Sequence, residues 1–167
     1  MPRNVHRSLI HACVLGNLKP ILFEVPFEVD RGHAMPPDTL WMQDVFEEIA
    51  LNGLEVAAAV LVNPTYHGYS CEIRPLVEMM HSRGWPVLVD EAHGTYFAFC
   101  RDEGLPVSAL NSGADLVVHS LHKSALGLTQ TSVLWLQGNL VDISSIERSL
   151  SWFQTSSPNS LLLASCE

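Results

Sequence analysis

Five short apolar runs constrain the fold more than any other feature of the chain. They are KPILFEVP (19–26), EVAAAVLVNP (55–64), WPVLVDEAH (85–93), ADLVVHSLH (114–122) and TSVLWLQG (131–138). Several are continuously apolar rather than alternating, the pattern of parallel strands covered on both faces. Helical periodicity lies between them. Asp38 follows two prolines and is placed to cap a helix through Ala50, which Gly53 stops. Ile73, Leu76, Val77 and Met80 recur at helical spacing, and Gly84 ends that segment. Val5 to Leu15 reads as a helix stopped by Gly16, and a shorter helical piece spans 107–111. The alternation predicts an α/β fold with a mostly parallel sheet flanked by helices. In such sheets ligands sit beyond the carboxyl ends of the strands.

The totals narrow the function classes. The chain has 167 residues, 47% of them apolar, enough for one domain with a sizeable core. Its formal net charge of −9 disfavours a nucleic-acid backbone as partner and is compatible with a cationic small substrate. Cys13, Cys71, Cys100 and Cys166 are scattered, with no CxxC pair. Neither a disulfide framework nor a zinc site is indicated, and reduced cysteines in a cytoplasmic protein are expected. No run approaches the roughly 18 apolar residues of a membrane span, and no signal peptide is expected. The chain opens at what reads as a strand-to-helix junction and closes on SLLLASCE, the opening turns of a helix. A piece of a larger protein is the expectation.

Polar residues gather at three strand ends: Asn63 to Gly68 (NPTYHG), Asp90 to Gly94 (DEAHG) and His119 to Ser124 (HSLHKS). Parallel strands would bring all three to one edge. Lys123 follows a buried run and two histidines, where desolvation and neighbouring cations lower a lysine's pKa. Such a lysine can form a Schiff base with an aldehyde. Asp90 has the position of a carboxylate that keeps a pyridine nitrogen protonated, making the ring an electron sink. Ser120 and His122 offer hydroxyl and ring N–H donors to a phosphate. Together these are the parts needed to hold pyridoxal phosphate (PLP).

Each residue also has a plainer reading. Asp90 could be a turn residue or cap, and Lys123 a solvated lysine. His119 is expected as a satisfied core histidine, and His33 and His81 as surface residues. HSLHK has the form of a two-histidine metal half-site, but no carboxylate or cysteine cluster completes it, so no metal is expected. DEAH also occurs on the magnesium-holding strand of helicases. That role requires an upstream phosphate loop, GxxxxGK[ST], which this chain lacks.

The combination points further. PRNVHRSLIHACVLG, NPTYHG, VLVDEAHGTYF, GADLVVHSLHKSALGLTQTSVL and FQTSSPNSLLLAS, in this order, resemble the ornithine/lysine/arginine decarboxylases of the aspartate-aminotransferase fold, fold type I. The resemblance covers nearly the whole chain. It implies that residues 1–167 form an incomplete PLP-binding large domain, without the upstream phosphate loop and the C-terminal small domain. The chain departs from the family at SLHKS, where a threonine before the histidine is common.

By resemblance, Lys123 is the Schiff-base lysine and Asp90 the partner of the pyridine nitrogen. Ala92 sits against one ring face and His6 stacks on the other. Ser120 and His122 lie near the cofactor phosphate, and Thr65 near the ring. Thr155 and Ser156 reach the phosphate site of a neighbouring subunit in a homodimer or higher homo-oligomer. His93 matches a variable position. The implied reaction is loss of the α-carboxylate of arginine, lysine or ornithine as CO2, leaving the amine. The substrate amine displaces Lys123, electrons flow toward the ring held by Asp90, and a proton returns to Cα. Other fold type I reactions (transamination, aldol cleavage) share these ring-binding residues, and a non-catalytic paralogue would keep the fold alone.

Overall fold

The computed structural model describes residues 1–100 and 104–167. Its centre is a four-stranded sheet of β3 (Ala59–Val62), β4 (Val87–Asp90), β5 (Leu116–His119) and β6 (Val133–Leu136), in that spatial order. β3, β4 and β5 are parallel, and β6 runs antiparallel to β5. Four of the five apolar runs supply these strands. The fifth, KPILFEVP, does not form one. It makes a single parallel bridge, Pro2 to Phe23, flanked by Arg3 N–H to Phe23 O at 3.0 Å and Phe23 N–H to Met1 O at 3.2 Å. Pro20 and Pro26 have no N–H to donate, so pairing cannot extend along the run. A two-residue antiparallel pair, β1 (Phe27–Glu28) with β2 (His33–Ala34), follows it.

The helices follow their local signals. α1 (Arg7–Leu15) ends at Gly16. α2 (Thr39–Leu51) starts at Asp38, whose Oδ1 accepts the Trp41 N–H at 2.8 Å and satisfies a first-turn donor. α3 (Ile73–His81) turns Ile73, Leu76, Val77 and Met80 inward, each no more than 2% exposed. Gly84, at φ 73°, lets the Trp85 N–H reach back to the Met80 carbonyl and close the end of α3. Residues 107–111 do not form a helix. The Ser112 N–H bonds the Ser108 carbonyl at 2.9 Å, and the single turn stops there, because Gly113 at φ 90° turns the chain into β5. α4 (Thr95–Phe99), α5 (Leu121–Ser124), α6 (Ile143–Phe153) and α7 (Ser160–Ala164) complete the order.

The core lies on one face of the sheet. Leu61, Val87, Val89 and Val117 pack with Met42 and Phe46 of α2, the α3 face, Ala109 and Ala114. Burying each large side chain there stabilises the fold by about 1.5–3 kcal/mol. The opposite sheet face is less covered. Residues alternate buried and half-buried along β3, β4 and β5, and α1, α6 and α7 bury no residue. Coverage on both faces, expected from the continuous apolar runs, is therefore complete on one side only.

Candidate functional site

Parallel pairing aligns the three polar strand ends. Val62 of β3 lies opposite Asp90 of β4, and Asp90 opposite Val118 of β5. Asp90 thus ends the strand between the other two, with Asn63–Gly68 on one side and His119–Ser124 on the other. Two backbone bonds past the strand ends keep them together. The Asn63 N–H donates to Asp90 O at 3.1 Å, and the Glu91 N–H to Val118 O at 3.1 Å.

Asp90 is half-buried, and its Oδ1 accepts the Ala92 N–H at 3.2 Å. That bond folds the chain tightly after the strand and leaves Oδ2 unengaged among the described residues. Ala92 is buried at 7% exposure, and Gly94 follows where no larger residue fits. A Cβ on Gly94 would meet Pro64 Cδ at 2.7 Å, Glu91 Cγ at 2.8 Å and Phe97 Cδ2 at 2.9 Å. The DEAHG turn is therefore packed directly on the NPTYHG loop.

Lys123 sits on α5, a single turn started by Ser120, whose carbonyl accepts the Lys123 N–H at 3.1 Å. Its Nζ lies 3.3 Å from His93 Nε2. Burial first, and then the Lys123 charge, push the His93 imidazole below the ordinary histidine range, while the Asp90 carboxylate pulls the other way. In this contact His93 Nε2 can accept a hydrogen bond from the Lys123 amine. Lys123, Asp90 and His93 thus form one electrostatic group. His93 also rests edge-on against Tyr66 of the NPTYHG loop, ring centroids 5.4 Å apart.

Several expectations change at this point. Lys123 is exposed, so this chain does not supply the desolvation foreseen for it. The histidine that touches it is neither of the two preceding it. His119 is fully buried as a satisfied core histidine, bonded to Glu91. His122 donates its Nδ1–H to the Thr131 carbonyl at 2.8 Å, which ties α5 to the loop before β6. His81 is not a free surface residue: its Nε2 lies 2.8 Å from the buried Asp115, which also accepts the Val87 N–H. His33 is half-buried, stacked on His67 at 3.9 Å.

The other expected site residues divide by place. Ser120 is buried beside Asp90 and Lys123 in the strand-end group. Thr65 is 1% exposed, and its Oγ1 accepts the Tyr69 N–H at 3.2 Å, so its side chain closes its own loop. His6 caps α1, its Nδ1 accepting the Ser8 N–H at 3.3 Å. Its described side-chain bonds all go to Ser8, and none goes to the strand ends. Thr155 and Ser156 lie exposed between α6 and α7, where Thr155 Oγ1 accepts the Ser157 N–H at 3.2 Å. The fold joins Asp90, Ala92, Ser120, His122, Lys123 and Thr65 in one region and, among the described residues, leaves His6, Thr155 and Ser156 without hydrogen bonds to it.

Sequence reasoning missed three members. Glu91 and His93 were in view without a role. Their partners lie 28 and 30 positions away, on another strand end, and no short-range pattern marks such pairs. Asn63 is the third. Its Oδ1 accepts the Cys71 N–H at 3.0 Å, while its fully buried Nδ2 has no partner among the described residues. An orphaned buried donor is costly, on the order of 1–3 kcal/mol, and marks a place where an acceptor is wanted.

These residues fit PLP. An amine, a half-buried carboxylate with one free oxygen, a small buried residue beside it and an unpaired amide donor converge on one sheet edge. Among the described residues no group of three metal-ligating side chains exists, and no helix is long and apolar enough to cross a membrane.

Comparison with solved structures identifies the fold. The chain superposes on a PLP-bound putative aminotransferase from Clostridium difficile with a TM-score of 0.66 at 12% identity, covering 99% of this chain and 42% of that one. Mouse CSAD in its apo form gives 0.62 at 21% identity over 83% of this chain and 29% of that one. The fold is that of the fold type I PLP-dependent enzymes. Within that class the assignment sharpens: residues 1–167 match the family described as Orn/Lys/Arg decarboxylase, major domain, and the chain belongs to that family. Arginine decarboxylases of Bacillus cereus (34% identity over 167 residues) and Bacillus subtilis (37% over 169 residues) align with the whole chain. The chain spans about a third of their length, 35% and 33% respectively.

Proposed function

We propose that this chain forms the cofactor-holding core of a PLP-dependent α-decarboxylase of a basic amino acid, with arginine as the preferred substrate. The observation that carries the reading is the meeting of Lys123 and Asp90 on adjacent parallel strand ends, with His93 Nε2 3.3 Å from the lysine amine. Arginine is favoured because the relatives that align with the whole chain are named arginine decarboxylases. The net charge of −9 suits a cationic substrate.

When bound, PLP supplies the electron sink for breaking the bond to the carboxylate. Lys123 would hold it through its amine, with His93 placed to accept the proton that the amine must shed. Asp90 holds a proton at the ring nitrogen. Ala92 leaves room at one ring face, and His6 covers the other once the remainder of the site is assembled. Ser120 and His122 receive the phosphate, with Thr65 in the loop near the ring. Thr155 and Ser156 act across an interface, on the site of a second subunit. The whole protein acts as a homo-oligomer in the cytoplasm.

The test is amine release by the full-length protein loaded with PLP, with arginine, lysine and ornithine supplied separately. The account expects agmatine from arginine as the fastest product. Transamination without CO2 release would replace decarboxylation with another reaction of the same class. Absence of cofactor binding would indicate a non-catalytic paralogue.

A further inference from the structure

Glu91 and His119 are fully buried, 0% exposed, directly behind the strand ends that carry Asp90 and Lys123. Their hydrogen bonds fix where every proton lies. Trp135 Nε1–H can only donate, and it lies 2.9 Å from His119 Nδ1, so that nitrogen accepts. A neutral imidazole then carries its one proton on Nε2, which donates to Glu91 Oε2 at 2.7 Å. Glu91 Oε1 accepts the Ala109 N–H at 2.7 Å. Both carboxylate oxygens are acceptors, and the chain of donors runs one way: Trp135 to His119 to Glu91, met by Ala109 from the other side. It joins β6, the ends of β5 and β4, and the turn at 109–113. Glu91 follows Asp90 in the chain. His119 precedes Ser120, which starts the Lys123 turn.

We propose that Glu91 and His119 are positioning residues, a buried strut that sets the separation of Asp90 and Lys123 and works only while Glu91 presents two acceptor oxygens. This inference rests on the PLP reading. Glu91→Gln keeps the volume but replaces one acceptor by a donor. If the new amide N–H faces Ala109, donor meets donor. If it faces His119, the imidazole must move its proton to Nδ1, where it meets the Trp135 N–H. Either arrangement leaves one buried bond broken. Trp135→Phe removes the second obstacle. His119 can then carry its proton on Nδ1 and accept from Gln at 91. The second substitution therefore exchanges a donor–donor clash for one unpaired Nδ1–H and partly rescues the first, which no sum of independent packing losses does.

The experiment compares the full-length wild type, E91Q, W135F and the double variant, each titrated with PLP and assayed for amine release. Glu91→Gln is expected to weaken cofactor binding and lower kcat by about 10- to 100-fold, as loss of outer-shell support does elsewhere. KM is expected to stay within about twofold, because substrate contacts are untouched. The double variant is expected to recover about tenfold over E91Q. Unchanged cofactor affinity and kcat in E91Q, or a double variant as poor as the two single losses multiplied, would overturn the strut. If E91Q does not fold, imidazole ¹⁵N NMR of the wild type decides: a proton on His119 Nε2 is expected, and one on Nδ1 contradicts the proposal. A wild type that binds no PLP sinks the cofactor reading, while the His119 resonance still judges the strut.

Discussion

The proposed site gives Lys123, Asp90 and His93 separate tasks, so their substitutions should separate too. Asp90→Asn keeps the shape and loses the charge that would hold a proton on the ring. We expect retained PLP binding with kcat lowered about a hundredfold or more, measured by steady-state turnover. Equal turnover would remove Asp90 from that role. His93 gives a pH signature. Burial and the Lys123 charge lower its pKa in the folded state, so the unfolded chain takes up a proton first as pH falls. Stability from this residue is full above the ordinary histidine range and is lost as pH drops through it toward the lowered value. Urea unfolding across that range should show a smaller pH slope in His93→Gln than in the wild type, and identical slopes would contradict the shift. Gly94 is a packing residue of the same turn. Gly94→Ala places a Cβ 2.7 Å from Pro64 Cδ and should cost about 1–3 kcal/mol by chemical denaturation.

At the scale of elements, what was legible was local. The cap at Asp38 and the apolar stripe of α3 are written in neighbouring residues, so both helices could be placed from sequence alone. Leu76, 1% exposed on α3, should cost about 2–5 kcal/mol as Leu76→Ala, read as a shift in the unfolding midpoint. What was not legible depended on partners distant in sequence. KPILFEVP is as apolar as the true strands, yet its prolines and short neighbour limit it to one bridge. α6 carries no buried residue to mark it, and Trp152 and Phe153 in it are 80% and 75% exposed. Asp90 and Lys123 were readable because each lies at the end of an apolar run. His93 touching Lys123, and Trp135 fixing the proton of His119, required knowing that β4 neighbours β5 and that β6 turns back antiparallel.

For the whole molecule, the half-covered sheet face and the exposed α1, α6 and α7 belong with a chain that spans about a third of the relatives it matches. Among the described residues His6, Thr155 and Ser156 make no hydrogen bond to the strand ends, and the proposed roles of Thr155 and Ser156 call for a second subunit. Sedimentation of the full-length protein should give a dimer or larger species, and Thr155→Ala should weaken PLP binding; a fully active monomer would contradict the shared site. The central claim, that Lys123 is where the cofactor attaches, has a direct test. Full-length protein incubated with PLP is reduced with borohydride, digested, and the modified peptide mapped by mass spectrometry. The account predicts a pyridoxyl group on Lys123 and none in Lys123→Ala. A label on another lysine, or one that persists in Lys123→Ala, would contradict it.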